Sequence, residues 1–318
     1  MRAATKGSLL GAAAWLLCSP VFAQQVADPD FKPAIAEPAY AAGRGPTVVI
    51  DEAHNNFHTM GGRYRPFADL LLLDGYAVRS SARPFDSKML ADVDVLVMAN
   101  AQAALGAASA VTNEECDAIE KWLRDGGSLL LIADHAPFGA AVEKLAVRFS
   151  VTMGKGWVFE PTATAITTQL VFSRENGRLG EHPVMQGRNP RERVQAVKTF
   201  TGQSLSVPDG AHALLKFGTD AREVANTNDL DAEAEARAGK RAATGRAVAV
   251  AERVQGLAMS VGKGRLVVLG EAAMFSAQVA TLTQEGRPVH IKAGMNVAGF
   301  DDQQFALNVM HWLSGILN

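Results

Sequence analysis

The chain has 318 residues, of which 31 are basic and 33 acidic, for a net charge of −2. That length is ample for a sizeable core, in one large domain or two small ones. A mildly acidic balance gives no reason to expect nucleic acid or an anionic membrane as partner.

The first 23 residues have the layout of a secretory signal peptide. Arg2 and Lys6 give a positive start, Leu9 to Leu17 an apolar run too short to span a bilayer comfortably, and Val21-Phe22-Ala23 a small-residue exit before Gln24. A lipoprotein reading of Cys18 is weaker, because Leu17 precedes it where a small residue is expected. The expected compartment is therefore the periplasm or outside the cell. Removing Arg2 and Lys6 from the 31 basic residues leaves 29 against 33 acidic. Only Cys116 then remains, so no intramolecular disulfide forms. No later stretch is apolar for long enough to make a membrane helix.

Residues 24–44 contain Pro33, Pro38 and several alanines without a steady period, and read as a linker or arm. A single α/β domain is expected over 45–318. Thr47 to Ile50 is a short β-branched run ending at Asp51, and similar runs recur at Val93 to Met98, Ser128 to Ile132 and Arg265 to Leu269. Continuous apolar runs suit strands buried on both faces, as in parallel sheets. Helical patterns lie between them. Arg65 to Leu73 stops at Gly75. Thr112 with Glu115 makes a capping box for a helix carrying Ile119, Trp122 and Leu123 and ending at Gly126-Gly127. Phe138 to Phe149 is another, and Phe305 to Leu317 closes the chain with His311 on an apolar stripe. Alternation of this kind implies a doubly wound, mostly parallel sheet. Residues 151–260 break the rhythm with β-like segments at 169–172, 194–200, 211–216 and 247–251, read as an antiparallel extension of the sheet edge. Within them 226–245 is Ala-rich with mixed charges and reads as an inserted mobile loop.

The string Asp51-Glu52-Ala53-His54 after a strand spells a helicase Walker B box. No G-x-x-x-x-G-K-[ST] loop accompanies it, so nucleotide chemistry is set aside. The location carries more than the letters, because ligands of open α/β sheets bind beyond the carboxyl ends of the strands. Four apolar strands end in Asp51, Glu52 and His54; in Asn100; in Asp134 and His135; and in Glu271. His58 joins them if 55–57 begin a helix, since i and i+4 share a face. Carboxylates and imidazoles at one crevice suit a divalent metal such as zinc, and equally a metal-free acid–base pair. Plain readings stand beside these: Asp51, Asp134 and Glu271 as caps, and His54 and His58 as ordinary loop residues. His182, His212, His290 and His311 carry no site signal. Cys116, in the first turn of a helix, reads as a small buried residue with no base beside it.

The strings VVIDEAHNNFHT, GRYRPFADLLLLDGY, GSLLLIADHAPFG, GEHPVMQG, TFTGQSL, GRLVVLGEAAMFSAQ and FALNVMHWLSG resemble an uncharacterised bacterial exported group. Its domain is similar to the class I glutamine amidotransferase-like, flavodoxin-like superfamily, and distantly to trehalose-utilisation and gliding-transport auxiliary domains. The resemblance spans most of 46–316 and implies a flavodoxin-like sheet. It departs where amidotransferases place a nucleophilic cysteine: the elbow after Ser128 to Ile132 holds Asp134-His135-Ala136. Cysteine-dependent glutamine hydrolysis is not expected.

Two functions follow. The first is a periplasmic hydrolase-like enzyme acting on a small molecule or envelope component. In it Asp51, His54, His58, Asp134 and His135 serve as metal ligands or acid–base groups, Glu52 and Glu271 as general bases, and Asn100 polarises substrate. The second is a non-enzymatic periplasmic carbohydrate-binding or envelope scaffold module using the same crevice. Aromatics lining the crevice favour the second; histidines and carboxylates within metal reach favour the first.

Overall fold

The computed structural model describes residues 24–284 and 287–318; the signal-peptide expectation falls on 1–23, outside them. The strands are β1 (Gln24–Ala27), β2 (Thr47–Asp51), β3 (Ala77–Ser81), β4 (Val95–Ala99), β5 (Ser128–Ile132), β6 (Trp157–Pro161), β7 (Ile166–Thr167), β8 (Val171–Ser173) and β9 (Ala196–Lys198). They continue as β10 (His212–Lys216), β11 (Arg222–Val224), β12 (Val248–Ala249), β13 (Val254–Val261), β14 (Gly264–Leu269), β15 (Ala277–Gln284) and β16 (Arg287–Gly294). The helices are α1 (Arg65–Leu73), α2 (Ser87–Leu90), α3 (Asn113–Asp125), α4 (Phe138–Ala146), α5 (Thr227–Arg237) and α6 (Asp302–Leu313).

Seven strands form the central sheet, in the order β10-β13-β14-β5-β4-β2-β3. Five of them run parallel. Numbered among themselves along the chain they stand 2-1-3-4-5, the flavodoxin-like order. The period of two divides each apolar run between two cores. Val48, Ile50, Val95, Val97, Leu130 and Ile132 face α1 and α6. Val49, Leu96, Met98, Leu129 and Leu131 face α2, α3 and α4. Every residue of β4 and β5 is buried, which is why these strands are apolar throughout apart from Ser128 at the start of β5. Each fully buried Leu, Ile or Val contributes roughly 1.5–3 kcal/mol.

The helix punctuation works as read. Thr112 and Glu115 make the reciprocal capping box, and Gly126 ends α3 at φ 128°, where a side chain is disfavoured. Trp122 lies over Gly127, where a Cβ would stand 2.1 Å from its ring. His311 on α6 is buried and pairs with Asp74 at 2.7 Å, a structural tie between α6 and the end of α1.

Other regions depart from the reading. The antiparallel extension consists of β13 and β10. The remaining β segments of 151–260 build a separate four-stranded sheet, β12-β11-β6-β7, and a two-stranded ribbon, β8-β9. The loop expected at 226–245 contains α5, started by Asn226, whose side chain accepts from the Asp229 N–H. The arm at 24–44 is strapped down: β1 pairs with β15 of the β15–β16 hairpin, and Phe31, Ile35 and Tyr40 pack on the core. Residues 55–57 are not helical; Asn55 sits at φ 49°.

Candidate functional site

The order 2-1-3-4-5 places its switch point between β2 and β4. The chain leaves β2 toward α1 on one face of the sheet and leaves β4 toward α3 on the other. The loops therefore diverge beyond these two strand ends, and open sheets of this kind take ligands there. Asp51 to Tyr64 and Asn100 line that divergence, with Asp134-His135 beyond β5 and Glu271 beyond β14 on the same edge.

On the β2 side the groups close on one another. The His54 Nδ1 lies 2.9 and 2.8 Å from the two oxygens of Asp51, and its Nε2 lies 2.9 Å from Glu115 Oε1. Phe85 stacks on the ring at 4.5 Å between centroids. Burial alone would lower the imidazole pKa, but hydrogen bonds and charge from Asp51 and Glu115 win and raise it. Glu115 is also fully used: it accepts from the backbone N–H groups of Thr112 and Phe85. The capping carboxylate of α3 thus doubles as a clamp on the loop after β2. Glu52 accepts from the Met60 N–H at 2.8 Å, fixing the turn before α1.

Beyond β4 the geometry is different. Asn100, at φ 46°, sits in the left-handed region that Asn tolerates better than most residues. Its side-chain oxygen accepts from the Asp134 N–H at 2.8 Å, and its amide donates to His58 Nδ1 at 3.2 Å. This fixes the His58 tautomer: Nδ1 accepts, so the ring proton is on Nε2. Among the described residues that buried N–H has no partner. Burial, followed by the charges of Arg63 and His135, lowers the His58 pKa to about 3, so the ring is neutral.

Asp134 accepts from the His135 N–H at 2.7 Å and from Thr201 Oγ1 at 3.3 Å. Gln203 holds this elbow by donating to the carbonyls of Ala133 and Asp134. His135 donates from Nδ1 to the Ala136 carbonyl at 2.7 Å and stacks on Trp157 with centroids 3.5 Å apart and planes 14° from parallel. Its Nε2, on a half-buried ring, makes no hydrogen bond to the described residues. Phe138 lies 5.8 Å from His135 and 5.7 Å from Phe57; Phe57 is 39% exposed. Trp157, His135, Phe138 and Phe57 therefore pack in series along the edge, with Phe138 buried, Trp157 and His135 half-buried and Phe57 exposed.

Glu271 is wholly buried and accepts from the Phe200 and Met274 N–H groups at 3.1 and 2.8 Å. Burial, then the Asp134 charge, pushes its carboxyl well above the usual range. It caps the turn after β14, out of reach of solvent.

Of the residues singled out from sequence, Asn100, His58, Asp134 and His135 come together. Asp51 and His54 form a separate closed pair, and Glu52 and Glu271 hold turns. Among the described residues no three His, Cys, Asp or Glu side chains stand together as a metal ligand set. His54 in particular has both nitrogens engaged by carboxylates. Asp51, His54, His58, Asp134 and His135 therefore do not form one shared ligand set among the described residues. Cys116 is buried in α3, where burial raises its thiol pKa. A cavity of about 590 Å³ opens at the opposite edge of the sheet, between Pro46, Trp122, Gly127 and Leu313, away from the strand-end groups.

Sequence reading missed Arg63, Tyr64, Thr201 and Gln203. Tyr64 is buried, 4.7 Å from the His58 ring, and donates to the Ala272 carbonyl. Thr201 and Gln203 lie in the TFTGQSL string, but nothing in their local pattern points to β5. Arg63 follows the same loop as His58, and its role is visible only from what it fails to pair with.

No known protein-family model matches the chain, and no curated protein sequence does. Solved structures similar to it include the mmIFT52 N-terminal domain, with a TM-score of 0.57 and 14% identity over 85% of this chain and 97% of that one. A ThuA-like protein from Bacteroides uniformis gives 0.41 and 12% over 88% and 95%. A GMP synthase subunit from Thermoplasma acidophilum gives 0.39 and 11% over 85% and 96%. At these identities the first likeness speaks to the fold, a mixed α/β arrangement around a large, mostly parallel sheet.

Proposed function

We propose that this chain is an exported, non-catalytic binding module that takes a small polar ligand of the carbohydrate class at the switch-point crevice. The observation that carries the reading is the aromatic series of Trp157, His135, Phe138 and Phe57 beside polar atoms with no partner among the described residues, His58 Nε2–H and His135 Nε2. Flat apolar surfaces with a few fixed hydrogen-bonding groups match a sugar ring, which has apolar C–H faces and a polar rim. Most of the acidic groups that a hydrolase would use are consumed in holding loops.

One observation favours a second reading, a metal-free hydrolase. His135 has the anchored Nδ1 and open Nε2 of a general base. A single experiment serves both. Trp157 fluorescence is titrated with a panel of neutral and acidic mono- and oligosaccharides, and the same mixtures are assayed for reducing-end release. Saturable quenching, lost in Trp157→Ala and unaccompanied by turnover, is the expected result. Turnover that disappears in His135→Ala establishes the hydrolase instead. No saturable response to any saccharide overturns the carbohydrate reading.

A further inference from the structure

The mouth of this crevice has a surplus of hydrogen-bond donors. Arg63 lies just before α1, with its guanidinium 3.8 Å over the Phe57 ring. It donates one long hydrogen bond, 3.3 Å, to the Phe57 carbonyl. Its Nε is buried and has no partner among the described residues. Among the described residues no carboxylate pairs with it, and burial is what lowers its pKa. The other partly buried arginines are used differently. Arg178 and Arg188 hold Glu160 and Glu192. Arg174, Arg253 and Arg265 donate to backbone carbonyls.

His58 adds a second, independent donor. It is 3% exposed, and its tautomer is set by Asn100. Its Nε2–H therefore points away from that amide with no acceptor among the described residues. Arg63 and His58 share one neighbour, the Phe57 ring, with the Arg63 guanidinium over its face and the His58 ring 5.6 Å from it. A buried donor without an acceptor costs about 1–3 kcal/mol, and more when charged. Two such donors around one crevice, one of them a guanidinium, describe the complement of an anionic oxygen group. The carboxylates on this edge do not fill that role: Asp134 is taken by His135 N–H and Thr201, and Glu271 by Phe200 and Met274 N–H.

We propose that the crevice holds its ligand by an anionic substituent, a carboxylate, phosphate or sulfate, bound between the Arg63 guanidinium and the His58 Nε2–H. This rests on the strand-end crevice being the binding site and deepens that reading: the ligand is an acidic sugar or sugar ester rather than a neutral one.

The full chain is titrated at low ionic strength with inorganic phosphate, sulfate, D-glucuronate and D-glucose. The readouts are the His58 and His135 imidazole resonances and Trp157 emission. Phosphate, sulfate and glucuronate are expected to move the His58 resonances saturably, with glucuronate binding tighter than glucose. Arg63→Gln is expected to weaken anion binding about tenfold, the scale of one charge-assisted contact. Arg63→Lys is expected to recover part of it, and both variants to unfold in a single cooperative transition as wild type does. Absence of an anion-dependent His58 shift, or equal anion affinity in Arg63→Gln, overturns the proposal. If neutral sugars still quench Trp157 while glucuronate gains nothing, the anion site falls and the binding module stands. If inorganic anions bind and no saccharide does, the anion site stands and the carbohydrate class falls.

Discussion

The two histidines that follow β2 lie four residues apart and end in opposite situations. His54 is enclosed between Asp51 and Glu115, with every ring nitrogen engaged and an aromatic ring on its face. His58 is equally buried, yet one nitrogen meets Asn100 and the other has no partner among the described residues. The first half of the strand edge is closed by carboxylates from the chain itself; the second half is left with unsatisfied donors on an aromatic surface. A histidine between two acids at a strand end is a tie between loops. A histidine whose partner fixes its tautomer and leaves an N–H over is the better indicator of a ligand.

The largest test of this contrast is His54→Ala. It leaves Asp51 and Glu115 buried without their partner, and removing one member of such a group costs about 3–5 kcal/mol. Urea unfolding should show that loss, while saccharide quenching of Trp157 in the folded fraction stays as in wild type. A stable His54→Ala chain that has lost binding would reverse the roles of the two halves.

Proton linkage gives an effect of intermediate size, with opposite sign at the two positions. The His54 pKa is raised in the fold, so its stabilisation is complete below the unfolded value of about 6.5 and is lost as pH rises through the folded value. The His58 pKa falls to about 3, because burial and then Arg63 and His135 oppose its charge. Its neutral ring contributes fully above about pH 6.5, and that contribution is lost as pH falls toward 3, at up to about 1.4 kcal/mol per pH unit. His58→Gln should therefore flatten the acid side of a stability–pH curve, and His54→Gln the neutral-to-alkaline side. Identical curves for the two variants would mean that the two histidines are held alike.

The smallest effect belongs to Leu105, fully exposed on the loop after β4. Leu105→Ser should change the unfolding free energy by no more than about 0.5 kcal/mol. A larger loss would mean that this loop packs on the crevice, and that the open half is less open than described.

The apolar runs at Thr47, Val93, Ser128 and Arg265 were legible as strands, because a strand covered on both faces needs an apolar residue at every position. The α3 capping box was legible from four residues for the same local reason. The strand-end location of Asp134 and His135 followed from chain direction alone. By contrast, the segments between 151 and 260 are short and equally β-like, so nothing local told a sheet extension from the separate sheets that β6 and β8 join. The helix at Thr227–Arg237 was hidden by a polar, Ala-rich composition without an apolar face, although Asn226 is a proper cap. Arg63 left no trace at all, since its interest lies in the partners it lacks.

By itself, then, the sequence determined which segments enter the parallel sheet and which polar residues stand at its carboxyl edge, because periodicity and chain direction are local properties. The tertiary structure decided what those residues do. Glu115 reaches His54 across 61 positions, Gln203 grips the elbow at Asp134 across 69, and Trp157 arrives from another sheet to support His135. Such partners are selected by the crossing distances of loops on a finished sheet, and those distances are written in no single stretch of chain.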